Sequence, residues 1–129
     1  DMLTALRGSN ANKLNDGDPN TYIYTYLYYD PQFVIKFKSA KTLSGVGILS
    51  SFTSYGYGVK KVTVETSLDG KSWTNMGTAT TTTQYDDDTS FPIVFSTPVK
   101  CQYVRLSHIE TFDTGDYPCF AISEIGAYE

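Results

Sequence analysis

Histidine occurs once in this chain, at His108, tryptophan once and cysteine twice. With so few reactive groups, no nucleophile stands near a base in any familiar pattern. Neither a G-x-S-x-G elbow nor an H-E-x-x-H helix is present. Two carboxylates meeting in a cleft as a glycosidase pair leave no spacing signature, but small β domains seldom carry one, and the chain reads as non-catalytic. Charge is also sparse, at 19% of residues, with 10 Lys and Arg against 14 Asp and Glu and a net charge of -4. The basic residues are scattered rather than striped, which excludes a protein that tracks nucleic-acid phosphates. No apolar run approaches the roughly 20 residues of a membrane span, and no charged-then-apolar leader opens the chain. Its abrupt start at Asp1 leads us to expect a piece excised from a larger secreted protein.

What is present is aromatic: 15% of the chain, carried by 11 Tyr and 7 Phe. Tyrosine joins a flat apolar face to a polar tip and favours half-wet surfaces, so some of these rings are expected to be exposed for binding. A length of 129 residues predicts a single domain spanning 1–129. Such a domain can bury roughly two thirds of its unfolded surface without staples.

Short apolar runs alternate with polar residues between Gly, Asp, Ser and Pro, and no stretch sustains a helical period. Phe33, Ile35 and Phe37 share one parity, as do Val46 and Ile48, Val62 and Val64, Phe91, Ile93 and Phe95, and Val104 and Leu106. Each set is read as the inward face of a strand. Asp69-Gly70, between runs at 62–66 and 73–76, is a strong hairpin signal because Gly supplies positive φ. The Thr-rich run at 78–83 reads as an exposed, β-prone edge. About eight strands without a helix imply an all-β fold, an antiparallel β-sandwich of jelly-roll type.

One break in the alternation is informative. Phe120 and Ile122 set one parity, but Ile125 and Ala127 resume on the other, so the register slips by one near Ser123 and Glu124. A bulge there would free a carbonyl and re-aim a carboxylate. Far away in sequence, Asp16-Gly17-Asp18-Pro19-Asn20-Thr21 clusters oxygen ligands of the kind hard cations take, on a turn that Gly and Pro help to fix. It is no EF-hand, since Thr21 stands where that loop needs Gly and Leu27 where it needs Glu. By itself such a turn is most often a hydrated loop.

Four segments taken together carry a resemblance. They are Leu14-Asn15-Asp16-Gly17-Asp18-Pro19-Asn20-Thr21, Val64-Glu65-Thr66-Ser67-Leu68-Asp69-Gly70-Lys71-Ser72-Trp73, Tyr103-Val104-Arg105-Leu106 and Ala121-Ile122-Ser123-Glu124-Ile125. In this order they resemble the discoidin, or coagulation-factor type C, domain, whose bacterial carbohydrate-binding members form family 32 of the carbohydrate-binding modules. The resemblance implies a jelly-roll sandwich with a structural calcium joining the early turn to the last strand. Carried over, the ligands would be the carbonyls of Lys13, Asp18 and Ser123, oxygens of Asp16 and Thr21, and the carboxylate of Glu124.

In sugar-binding relatives the ligand sits on three loops, which correspond here to 22–30, 51–58 and 111–118. These loops supply Tyr24, Tyr26, Tyr28, Phe52, Tyr55, Tyr57, Phe112 and Tyr117 as rings, with Asp113 and Asp116 as hydroxyl acceptors. Phe52 and Phe112 are read equally well as plugs of the open end. The His of the first loop and the Arg and Asn of the second that galactose binders commonly use are missing, so a galactose preference does not transfer. The resemblance implies a non-catalytic, extracellular, periplasmic or cell-surface module that binds a glycan and accompanies the catalytic domain of the same parent chain. A secreted bacterial glycoside hydrolase such as a β-N-acetylhexosaminidase (chitobiase) is the expected parent. The alternative is a protein-interaction or spacer domain without sugar binding. Phospholipid binding is disfavoured, because the first loop lacks Lys and Arg and the third is acidic.

Structural roles are expected for the remaining conspicuous residues. His108 follows the parity of Val104 and Leu106 toward the core; Arg105, on the other parity, suits an ion pair; Trp73 packs beside its hairpin; and Asp86-Asp87-Asp88 reads as a solvated loop. If the strands carrying Cys101 and Cys119 form a hairpin about Thr114, Cys119 falls opposite about Ile109. That is too far from Cys101 for a disulfide, which needs Cα atoms within roughly 7 Å, so two free, mostly buried thiols are expected.

Overall fold

Alternate residues of a strand share a face, so the apolar parities decide which faces pack together. The computed structural model describes residues 2–6, 23–87 and 89–129. Its strands are β1 (Met2–Leu6), β2 (Ile23–Tyr26), β3 (Phe33–Ser50), β4 (Val59–Ser67), β5 (Thr74–Thr80), β6 (Phe91–Thr111) and β7 (Cys119–Tyr128). All pairings are antiparallel.

The two long strands build the sandwich. Phe33 to Lys36 of β3 pair with Leu106 to Tyr103 of β6, whereas Gly45 to Ile48 pair with Val94 to Phe91, and the register shifts in between. The first half of β3 also pairs with β1 and its second half with β7. One layer is therefore β1, early β3, late β6, β4 and β5; the other is β2, β7, late β3 and early β6. The result is an antiparallel β-sandwich of jelly-roll type. Phe33 of one layer meets Phe120 of the other edge-on, with centroids 5.7 Å apart. Every inward set read from the sequence is buried, including Val46 and Ile48, Val62 and Val64, and Phe91, Ile93 and Phe95. Fully burying each such side chain contributes about 1.5 to 3 kcal/mol.

The slip expected in β7 is present. Leu49 lies opposite Glu124 and Ser50 opposite Ile122, which makes Ser123 the extra residue of a bulge. Between β4 and β5, Gly70 takes φ 76° and the Asp69 carboxylate accepts the backbone N–H groups of Lys71 (2.8 Å) and Ser72 (2.9 Å). Those hydrogen bonds, with another from the Ser67 hydroxyl, hold the Asp69 carboxyl below its usual pKa. The Thr-rich run lies on β5 and beyond it, at the exposed edge of the sheet. Arg105 grips Glu65 through Nε (3.1 Å) and Nη2 (2.9 Å), while its guanidinium lies 4.2 Å from the centroid of Trp73. Both residues thus have the structural roles expected.

His108 departs from expectation. It is exposed, with φ 51°, because β6 gains a residue opposite β4: Thr63 lies opposite Ser107 but Lys61 opposite Glu110. The parity flips there, so Ser107 and Ile109 turn inward and His108 outward. The hairpin of β6 with β7 is also not formed, since β3 lies between them in the sheet. Both cysteines are nonetheless free and buried, and burial raises both thiol pKa values. Within the acidic run, Asp87 holds Thr53 and is more than a solvated carboxylate, while Asp88 lies outside the described residues.

Candidate functional site

The antiparallel order β2-β7-β3 brings the end of β2 and the end of β3 to the same edge of the molecule, beside the start of β7. Three connections meet there. Leu27 N–H donates to the Pro118 carbonyl (2.8 Å), tying the first to the third. Ser51 N–H donates to the Ala121 carbonyl (3.1 Å) and Ala121 N–H to the Tyr57 carbonyl (3.2 Å), which fixes both ends of the second against β7. At Gly56, with φ 86°, a Cβ would lie 3.0 Å from the backbone of Phe112 and Asp113, so the second and third connections touch closely where only Gly fits.

Side chains lock this arrangement. The Asp87 carboxylate accepts from the Thr53 backbone N–H (2.9 Å) and hydroxyl, and the hydroxyl bond above all lowers its pKa. Asp113 accepts from Gly115 N–H (3.0 Å) and Cys119 N–H (2.9 Å). Its negative charge adds to burial in raising the Cys119 thiol.

Rings cover the surface so formed. Past β2 the chain makes a 3-10 turn, Leu27–Tyr29, which closes on Asp30 at φ 48°. An open cavity of about 380 Å³ is lined by Tyr26, Tyr28, Tyr29 and Tyr117. Tyr28 and Tyr29 stand edge to face with centroids 5.3 Å apart, and Tyr28 and Tyr117 are 79% and 71% exposed. A second group comprises Phe52, Tyr55 and Tyr57, with successive centroids 6.2 and 5.8 Å apart. Tyr55 is its exposed member, and Phe52 holds the left-handed φ of 53°, a backbone conformation unfavourable for a bulky residue.

Of the ring residues singled out by sequence, Tyr26, Tyr28 and Tyr117 share the cavity, while Phe52, Tyr55 and Tyr57 form the second group. Tyr24 and Tyr26 belong to β2 and pair with Ala121 and Cys119, so that part of the expected first loop is strand; the Tyr24 side chain lies outside the described part. Phe52 and Phe112 are both half-buried, and Lys60 Nζ sits 5.7 Å from the Phe112 centroid. Asp113 braces the third loop through two backbone donors, whereas Asp116 is exposed. Tyr29 was not singled out: with tyrosines at 22, 24, 26, 28 and 29, alternation pointed to the even positions and hid the turn. Lys13, Asp16, Asp18 and Thr21 lie outside the described residues. Ser123 is buried with its hydroxyl against that of Ser51, and Glu124 is half-buried beside it.

A family model described as the F5/8 type C domain matches residues 4–125. The chain belongs to the F5/8 type C family. No curated protein matches the sequence. In three dimensions this type C domain is similar to CBM32-3 from a family 31 glycoside hydrolase of Clostridium perfringens, at 25% identity and a TM-score of 0.77. That match covers 90% of this chain and 80% of the other. The family 32 carbohydrate-binding module of NanJ from C. perfringens, in complex with galactose, gives 15% identity and a TM-score of 0.73, covering 99% and 93% of the two chains. CpGH89CBM32-5 of the same organism, in complex with GalNAc-β-1,3-galactose, gives 14% and 0.75 over 99% and 95%. Across the described parts of its three loops, this type C domain carries no His, Arg or Asn.

Proposed function

We propose that this type C domain is a non-catalytic carbohydrate-binding module whose glycan rests on the tyrosines of its loop end. The observation that carries this reading is the open cavity walled by Tyr26, Tyr28, Tyr29 and Tyr117. A pyranose offers an apolar face of C–H groups and a rim of hydroxyls, which suits exposed rings with phenolic tips. Support comes also from the neighbours in fold, which are carbohydrate-binding modules from C. perfringens. The module would accompany a secreted bacterial glycoside hydrolase such as a β-N-acetylhexosaminidase, outside the cell or on its surface. Its contribution there is effective concentration: it keeps the catalytic domain near its glycan.

A structural calcium belongs to the same reading. Its described ligands would be the Ser123 carbonyl, at the bulge of β7, and the Glu124 carboxylate, joined by Lys13, Asp16, Asp18 and Thr21. Ser123 and Glu124 fit a hard cation: both offer oxygen, and a bulge takes its extra residue out of the ladder. Calcium would hold the early turn to the last strand, with no part in chemistry.

The competing reading, a protein-interaction or spacer domain, is favoured by the lack of His, Arg and Asn in the loops. Titration of galactosides, N-acetylglucosamine and chitobiose, followed by tyrosine chemical shifts, separates the two. A single sugar unit on a shallow site should bind between the millimolar and micromolar limits, about 4 to 8 kcal/mol. Shifts that include Tyr26, Tyr28, Tyr29 and Tyr117, and that are lost from this group in Tyr28→Ala, are the expected result. If no sugar moves any tyrosine at tens of times that dissociation constant, the protein-interaction reading replaces this one.

A further inference from the structure

The loop end carries two groups of rings, and the strand order sets the spacing between their points of origin. Tyr28 leaves from the end of β2, and Tyr117 precedes β7, which is the next strand. The connection bearing Tyr55 leaves from the end of β3, on the far side of β7. Neighbouring strands lie about 4.8 Å apart, so the two points of departure are separated by two strand spacings, about 10 Å. One pyranose cannot reach across that distance; two linked units can. Backbone hydrogen bonds pin the first group to the residue just before β7, through Leu27 and Pro118, and the second to β7 itself, through Ser51, Tyr57 and Ala121. The spacing of their points of departure is thus built into the sheet.

The rings are also uncharged. Among the described residues the cavity is lined by tyrosines, and the residue next in sequence to Tyr117, Asp116, is an exposed carboxylate. The described lining of the cavity gives an acidic sugar no cation to pair with and a carboxylate beside it, while the Lys60 ammonium at this end already sits over the Phe112 ring.

We infer that the loop end is a two-platform site for a neutral oligosaccharide of at least two pyranose units, one held at Tyr28 and Tyr117 and the next at Tyr55. This rests on the carbohydrate-binding reading and adds length and charge to it. Both platforms contribute to an oligosaccharide, while one alone holds a monosaccharide.

The test is calorimetric titration of the whole domain with galactose, N-acetylglucosamine, β-1,4-galactobiose, chitobiose and digalacturonic acid. Tyr28→Ala and Tyr55→Ala are run beside wild type, with thermal melts as a check on folding. Expected is tenfold or more tighter binding of a neutral disaccharide than of its monosaccharide, with digalacturonic acid at least tenfold weaker. Each substitution should weaken the disaccharide about tenfold, from the loss of one stacked ring. For the monosaccharide, only one of them should matter. A disaccharide no tighter than its monosaccharide, or unaffected by Tyr55→Ala, overturns the two-platform site while leaving the carbohydrate-binding reading standing. Tighter binding of digalacturonic acid overturns the neutral class alone. Failure of every sugar to bind folded wild type overturns the carbohydrate-binding reading, and this inference with it.

Discussion

Asp87 shows how much a single carboxylate can organise from the surface. It lies in an acidic run, yet it accepts two hydrogen bonds from Thr53, next to Phe52 and two residues before Tyr55. Because its folded pKa is lowered, the stability it contributes is present above the unfolded value of about 3.8 and is lost as pH falls through the folded pKa. Asp87→Ala should cost about 1 kcal/mol at neutral pH, held low by its exposure, and this urea-midpoint difference should shrink progressively as pH is lowered below 3.8. A difference that stays constant down to the acid limit of folding would assign the effect to packing. Arg105 contrasts with it: it makes a fork on Glu65 and lays a face on Trp73, on strands apart from the β2-β7 edge that carries the cavity tyrosines. Lysine keeps the charge but loses both the fork and the stacking plane. Arg105→Lys should lower stability by about 1 kcal/mol in urea unfolding and leave sugar affinity unchanged; a change in affinity would connect that face to the site.

At the scale of elements, apolar parity was legible wherever it was marked on both sides of an irregularity. The β7 bulge could be read because Phe120 and Ile122 stand before it and Ile125 and Ala127 after it. The β6 bulge could not, because Ile109 is the lone aliphatic residue beyond it before the turn, and one residue does not set a parity. The first loop failed for the same reason in reverse: a run dense in Tyr has no contrast between faces, so the 3-10 turn that delivers Tyr29 to the cavity was hidden. How loops meet is still less visible, since the closeness of Gly56 to Phe112 and Asp113 depends on chain paths more than 50 residues apart. That contact gives a prediction. Gly56→Ala meets both a positive φ and a backbone wall, so it should cost more than the roughly 1 kcal/mol of the conformational penalty alone. It should also push the second loop from the third and weaken disaccharide binding. A variant as stable as wild type in thermal melts would show that the loops part easily.

Across the whole molecule, the proposed calcium would link residues near the start to the middle of β7, a connection that strand parity cannot reveal. The β7 bulge was readable from the residues themselves, but its pairing with the turn at 16–21 came only through the family resemblance. Among the described residues no three His, Cys, Asp or Glu side chains cluster for a metal, so Glu124 alone cannot hold the ion and must act with the early turn. An ion that binds only the folded chain stabilises all of it, by about 2.7 kcal/mol when free calcium is a hundred times its dissociation constant. For a domain of 129 residues that corresponds to a rise in melting temperature of about 10 °C. Wild type should therefore melt lower in EDTA and recover when calcium is restored. Glu124→Ala should lower the melting temperature in calcium and make it insensitive to chelator, because the site then lacks its carboxylate from β7. Tyr28→Ala, at the loop end, should keep the full calcium response. If wild type melts at one temperature in EDTA and in excess calcium, no ion joins the early turn to the last strand, and the bulge at Ser123 serves only to turn β7 between its two parities.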